Sequence, residues 1–240
     1  MAKILYIFPH PDDESFGPAA AISAQIKSGN EVHLLCLTKG GATKQRHKFG
    51  YSVKQMGEVR YSEMLEVEKV LGLNSMTVYD LPDSGLKEMD PRQIEQVCET
   101  EINKIKPDIV VTYAVHGISG FHDHLVTHAV VKRVYLEMKS KGADFLRRLA
   151  FYTISENDWE KIKDSNPFKL NTSTMELIDC EEKITADDLQ KMIDSLDCYK
   201  TYKDTIDRMG IKSSIKDHIS FEFFNEDFKP PLSSLTDNLH

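Results

Sequence analysis

Five short runs of aliphatic, aromatic and β-branched residues, at 4–8, 32–37, 76–81, 108–113 and 149–154, are each separated from the next by a segment that includes helical spacing. Parallel strands can be joined only through a crossover of a dozen or more residues, so this alternation predicts parallel pairing. The run at 108–113 is nearly continuous in β-branched residues, as a strand covered on both faces should be. The intervening segments carry their own punctuation. Residues 19–27 are alanine-rich and stopped by Gly29-Asn30. Residues 58–71 place Val59, Met64, Val67, Val70 and Leu71 in helical phase, with Gly72 behind them. Residues 91–105 begin at Pro91 and carry Ile94, Val97, Ile102 and Ile105 on one stripe. Residues 123–139 repeat the pattern through Val126, Val130, Val134 and Met138. The expectation is an α/β chain: a Rossmann-like open, mostly parallel sheet with right-handed crossovers and helices on both faces.

Beyond residue 154 the pattern is less regular. Residues 175–178 read as a strand, 186–207 as one amphipathic helix carrying Leu189, Met192, Ile193, Leu196 and Tyr199, and 219–224 as a short apolar element. Neither a linker-like composition nor a repeat divides the chain, so 1–240 reads as a single domain, a core at 1–154 with an extension at 155–240 packed on it. Residues 38–57 show no usable period and include Lys39, Gly40, Gly41, Lys44, Arg46, His47 and Lys48; a long loop leaving a strand of such a sheet is more often functional than accidental. A formal net charge of −8 argues against a large electropositive footprint for nucleic acid, which leaves small molecules as the expected partners. The first apolar run is too short for a signal segment, and no run approaches the roughly 20 residues of a membrane span, so the expected location is cytoplasmic. Cys36, Cys98, Cys180 and Cys198 stand singly, without the spacing of a thiolate metal site or a disulfide framework, and are expected as free thiols. No G-x-G-x-x-G follows the first run, so the architecture does not imply a dinucleotide.

Ligands of an open α/β sheet sit beyond the carboxyl ends of its strands, and both polar clusters of this chain fall there. The first is Pro9-His10-Pro11-Asp12-Asp13-Glu14, an imidazole and three carboxylates directly behind the first strand. Charges crowded in this way are costly to bury unless they are paired or bind a metal. The second is His116-Gly117-Ile118-Ser119-Gly120-Phe121-His122-Asp123-His124 after the fourth strand, with His128 one helical turn later. His10 and Asp13 are three residues apart, which a tight turn or a first helical turn folds onto one side, and His124 can complete a facial His-Asp-His set from the neighbouring loop. Nitrogen and oxygen ligands with a position left for water are those of a catalytic zinc site. The plainer alternative is that His10 and Asp12 cap a helix and residues 116–128 are a solvated helix start; that both clusters share one sheet edge favours the metal.

The same residues carry a family resemblance. Residues 9–14 resemble the H-P-D-D-E signature of the PIG-L/LmbE-like metal-dependent N-deacetylases, which remove acetyl groups from N-acetylglucosamine-type substrates, including precursors of mycothiol and bacillithiol. Residues 57–72, with Arg60, Glu63 and Leu71-Gly72, resemble the family's R-x-x-E helix, and 117–124 its G-x-x-G-H-P-D-H loop. The resemblance implies zinc, with Fe2+ as the alternative ion in the cell, on His10, Asp13 and His124. It also implies Asp12 as a general base pointing away from the metal, and Arg60 on the hydroxyls of a sugar. Asp123 would then orient a catalytic histidine, and Glu14 would hold a helix N-terminus. A homo-oligomer is in keeping with such enzymes. One departure stands out: Phe121 replaces the first loop histidine and His122 stands in the place of the proline. The acid step then falls to His122, with His116 or a protonated Asp12 as alternatives. The expected function is a zinc-dependent hydrolase that removes an N-acetyl group from an amino sugar or its conjugate. The alternatives are a zinc amidohydrolase of another small amide and a catalytically weakened sugar- or metal-binding relative.

Overall fold

The computed structural model describes residues 1–164, 167–211 and 217–240. In chain order the core runs β1 (Lys3–Phe8), α1 (Asp13–Phe16), α2 (Ala19–Lys27), β2 (Glu31–Cys36), α3 (Arg46–Phe49), α4 (Val53–Leu71), β3 (Ser75–Val78), α5 (Pro91–Ile105), β4 (Ile109–Tyr113), α6 (His122–Ser140) and β5 (Arg148–Thr153). The extension adds α7 (Glu156–Ile162), β6 (Cys180–Lys183), α8 (Ala186–Cys198), α9 (Lys203–Met209) and β7 (His218–Phe223). The strands form one sheet ordered β3-β2-β1-β4-β5-β7-β6. β1 to β5 are parallel, and β7 runs antiparallel to both β5 and β6. The chain winds outward from β1 through β2 to β3, then returns to the other side of β1 for β4. That reversal opens a crevice between the carboxyl ends of β1 and β4, where an open α/β sheet binds its ligands.

The pleat of β1 sorts its side chains between two cores. Ile4, Tyr6 and Phe8 face the helices α2, α4 and α8, where Ile22, Met64, Val67, Met192 and Leu196 close the layer. Leu5 and Ile7 face α5 and α6 through Ile94, Cys98, Ile102, Val130, Val134 and Met138. Each of these large side chains contributes on the order of 1.5–3 kcal/mol on burial, so both faces of the strand anchor the site at its end. Cys36, Cys98 and Cys180 are buried and Cys198 half-buried, all as free thiols.

Several boundaries differ from the sequence expectation. The segment 38–57 is not all loop: it contains α3, and α4 begins at Val53 rather than at residue 58. Ser52 and Gln55 form a capping box there, each side chain bonded to the other's backbone N–H, a signal masked by the polar first turn and by Gly57. Residues 175–178 do not form a strand: Met175–Leu177 is a 3-10 turn, and the strand is β6, whose Cys-Glu-Glu-Lys lacks an apolar run. The helix expected over 186–207 ends at Cys198, followed by a 3-10 turn at Lys200–Tyr202 and then α9. α7 was not expected; Ser155 caps it, accepting from the Asp158 N–H. Among the described residues, no helix is long and apolar enough to cross a membrane.

Candidate metal centre

The turn after β1 splits its acidic residues in two directions. Asp12 adopts φ 84°, a left-handed conformation that Asp tolerates better than most residues, and its side chain makes no cap bond to α1. The plain capping alternative is therefore not what Asp12 does. Asp13, one residue on, turns inward and is 6% exposed. Its Oδ2 accepts the His10 backbone N–H at 2.9 Å, and its Oδ1 accepts the Tyr113 hydroxyl at 2.7 Å. Tyr113 closes β4, so the carboxylate is pinned from both strands of the crevice.

The loop after β4 supplies the third residue. His124 Nδ1 donates to the Gly117 carbonyl at 2.9 Å, and its ring stacks on Tyr113 with centroids 4.2 Å apart. Gly117 lies at φ +63°, and a Cβ on it would sit 2.8 Å from His124 Cβ, so the close approach requires glycine. With Nδ1 carrying the proton, Nε2 presents a lone pair toward Asp13 Oδ1 at 3.4 Å. That nitrogen is buried and has no hydrogen-bond partner among the described residues. His10 is set the opposite way round. Its Nε2 faces Asp123 Oδ2 at 3.1 Å and Asp83 Oδ1 at 3.4 Å, which leaves Nδ1 toward Asp13 Oδ2 at 3.6 Å.

These spacings fit a metal. Two ligand atoms each about 2.0–2.2 Å from a tetrahedral ion lie about 3.4 Å apart, and both histidine-to-Asp13 separations are close to that. His10, Asp13 and His124 can hold a metal ion together. The charge states of His124 and Asp13 agree with the fit. Burial lowers the His124 pKa and keeps that ring neutral, although Asp13 opposes it. Burial alone would raise Asp13, but His124 and His10 hold it below its ordinary value. Burial also works against a charged His10, yet the Asp123 and Asp13 bonds raise it to about 10. An ion on Nδ1 would displace that proton, with Asp123 keeping the one on Nε2. Asp123 is itself buried and held by the Ser84 and Leu86 backbone N–H groups at 2.8 and 3.2 Å.

Asp12 stands beside this cluster with a different partner. Arg60 Nη2 donates to Asp12 Oδ2 at 2.5 Å and to the Pro11 carbonyl at 2.7 Å, and Nη1 to the Gly40 carbonyl at 3.1 Å. Burial pushes the Asp12 carboxyl up to about 7; Arg60 pulls the other way, and Asp13 and Glu14 add to the rise. Arg60 is 2% exposed and so is not a solvated arginine on the helix surface. Gly40, at φ +63°, makes room for it, since a Cβ there would fall 2.2 Å from Nη1.

The remaining expected residues divide. Glu14 is buried and holds no helix end: its Oε1 accepts from Ser15 Oγ and Tyr199 Oη, both at 2.7 Å. His122 opens α6 and is exposed, while its neighbours Asp123 and His124 are buried. His116 is engaged in fastening the loop. Its Nδ1 accepts the Ile118 N–H at 3.1 Å, its Nε2 meets Ser173 Oγ at 3.1 Å, and Ser173 donates to Glu222. Sequence reasoning missed Asp83, which looked like a turn residue, and Tyr113, which looked like core. Proximity to strand ends was the only signal for either.

Known proteins are similar to this chain. Residues 5–135 match the family described as PIG-L: GlcNAc-PI de-N-acetylase. A probable N-acetyl-α-D-glucosaminyl L-malate deacetylase of Bacillus subtilis is 30% identical over 57% of this chain, and the match spans 62% of that protein, less than two thirds of its length. Among solved structures, the N,N'-diacetylchitobiose deacetylase of Pyrococcus horikoshii superposes with a TM-score of 0.64 at 15% identity, over 93% of this chain and 84% of that one. The 4-carboxy-2-hydroxymuconate hydratase of Pseudomonas putida superposes with a TM-score of 0.66 at 13% identity, over the whole of both chains. A hydratase and a deacetylase thus share the architecture, so these two likenesses speak for the fold alone. Membership rests on the sequence match, which takes in both loops of the site and covers more than half of the chain: the protein belongs to the PIG-L family.

Proposed function

We propose that the protein is a metal-dependent deacetylase that hydrolyses the N-acetyl group of an N-acetylglucosamine-type substrate. One observation carries the reading: His10 Nδ1 and His124 Nε2 both face the Asp13 carboxylate, at 3.6 and 3.4 Å, while the adjacent Asp12 is kept off that cluster by Arg60. A zinc ion on His10, Asp13 and His124 would supply a Lewis acid for the acetamide carbonyl and lower the pKa of water to about 7. The chain's own part is proton transfer and orientation. Asp12 accepts the proton of the attacking water, and its elevated pKa matches that task near neutrality. We assign the return of that proton to the leaving amine to Asp12 as well, rather than to the exposed His122. Asp123 orients His10, and the Gly117 carbonyl orients His124.

The names of the sequence relatives support an amino-sugar substrate, and the probe to use first is N-acetyl-α-D-glucosaminyl L-malate. Metal content and acetate release are measured for wild type and Asp12→Ala. The variant should retain its metal and lose about 10²–10⁴-fold in turnover. Wild-type turnover in the variant would remove Asp12 from the mechanism.

A further inference from the structure

Arg60 is held in its plane but not, by its own bonds, against swinging out of it. Its contacts to Pro11, Asp12 and Gly40 all lie at the edge of the guanidinium. Its Nε has no hydrogen-bond partner among the described residues. Arg60 Cζ lies over the ring of Tyr202, 4.3 Å from its centroid. A long side chain in a site that must keep one carboxylate still gains most from being stacked, because stacking removes the torsional freedom that edge bonds leave.

Tyr202 is itself anchored to the elements that carry Asp12 and Arg60. The 3-10 turn Lys200–Tyr202 is fixed to α4 by Glu63, whose two carboxylate oxygens accept Thr201 N and Thr201 Oγ1 at 2.8 and 2.7 Å. Glu63 lies one helical turn beyond Arg60, so one face of α4 supplies both the guanidinium and the anchor of the ring it lies over. The Tyr202 hydroxyl donates to Thr43 Oγ1 at 2.5 Å, in the loop whose Gly40 carbonyl also receives Arg60. Two residues earlier than this anchor, Tyr199 donates to Glu14 on α1. Thr201 and Tyr202 lie outside the residues 5–135 that match the family, in a part of the chain where no catalytic signature was read.

We propose that Tyr202 is a positioning residue: stacked on Arg60 and anchored by Thr201 to Glu63, it fixes the guanidinium that orients Asp12. The C-terminal extension thereby completes a site whose reacting groups all come from the core. The consequence for turnover rests on the deacetylase reading above; the consequence for Arg60 geometry does not.

Two measurements separate them. Crystal structures of zinc-loaded Tyr202→Leu and Tyr202→Phe report where Arg60 sits. Arg60 should leave Asp12 in the leucine variant and stay in the phenylalanine variant, which keeps the ring. Steady-state kinetics with N-acetyl-α-D-glucosaminyl L-malate should show kcat lower by about tenfold in Tyr202→Leu, with KM within about twofold, and near wild-type values in Tyr202→Phe. Thr201→Ala, which removes one of two bonds to Glu63, should give a smaller loss of kcat in the same direction and serves if Tyr202→Leu does not fold. Arg60 remaining on Asp12 in Tyr202→Leu, or in a folded Thr201→Ala with unchanged kcat, would overturn the proposal. So would a displaced Arg60 with unchanged kcat. If wild type releases no acetate from this probe, the deacetylase reading loses its support there, while the crystallographic arm still decides whether Tyr202 holds Arg60.

Discussion

The histidine–carboxylate clusters around His218 and around Asp13 differ in what their nitrogens have left to offer. In the extension, His218 at the start of β7 uses both nitrogens on carboxylates: Nε2 meets Asp158 at 3.1 Å and Glu181 at 3.7 Å, and Nδ1 meets Asp217 at 2.7 Å. A ring so surrounded carries both protons, has no lone pair and forms a closed ion pair. At the switch point of the sheet His10 is surrounded in the same way, by Asp123 and Asp83 on Nε2 and Asp13 on Nδ1, but His124 differs: its Nδ1 donates to the Gly117 carbonyl, and its Nε2, facing Asp13, has no hydrogen-bond partner among the described residues. The residue types are the same in both places. What separates a binding site from a structural pair is the outer partner that fixes the tautomer, together with burial that makes an unused lone pair costly.

The contrast is broken most forcefully at the inner cluster. His124→Ala removes the orphaned Nε2 together with the ring stacked on Tyr113, and purified protein should then fall from about one bound metal to nearly none, with acetate release lost to background. Elemental analysis checks this; full metal content in the variant would place the ion elsewhere. Asp123→Asn leaves all three proposed ligands in place and replaces the carboxylate that faces His10 Nε2 and accepts the Ser84 and Leu86 N–H groups. Metal affinity should fall about 10–100-fold in a chelator competition, and an unchanged affinity would reduce Asp123 to a brace for residues 84–86. Neither variant should alter the ion pair of His218.

The parallel core was legible because its signals are local. Gly72 caps α4 at φ 73°, Pro91 starts α5, and the apolar runs of β1, β4 and β5 are continuous wherever helices cover both faces. The proposed ligands His10, Asp13 and His124 and the proposed base Asp12 could be picked out for the same reason: His10, Asp12 and Asp13 are neighbours, and His124 follows a glycine loop at the next strand end. The burial of Arg60 was not legible, because it depends on long-range packing. A helix arginine reads as exposed until Asp12, 48 residues away, turns its carboxylate toward it through a left-handed φ. Thr201 and Tyr202 are farther still from the site in sequence, and their part in it follows from the register of α8 and the turn after it on α4. β6 escaped notice because its Cys-Glu-Glu-Lys alternates burial with residues that propensity does not assign to a strand: Glu182 is buried, its Oε2 taken by the Leu235 N–H at 2.7 Å.

The smallest effect tests the outer cluster and has a definite sign. The Asp158 and Asp217 bonds, against partial burial, raise His218 from 6.5 to about 9. His218 and Lys161 hold Asp158 well below the carboxylate range although burial opposes them. A raised histidine pKa stabilises the fold in full below about 6.5, and the contribution is lost as pH rises through about 9. A depressed aspartate pKa stabilises in full above about 3.9, and its contribution is lost on acidification. Both are therefore whole between about pH 4 and 6.5. The pair is partly solvated, so its worth is nearer 1–2 kcal/mol than the shift alone implies, or about 4 °C in Tm for a chain of this size. His218→Gln should lower Tm by that amount at pH 6, by progressively less above pH 6.5, and by almost nothing at pH 10, while the metal content stays at the wild-type value. A Tm difference independent of pH would mean that His218 acts by packing alone, and a loss of metal in this variant would erase the distinction between the two clusters.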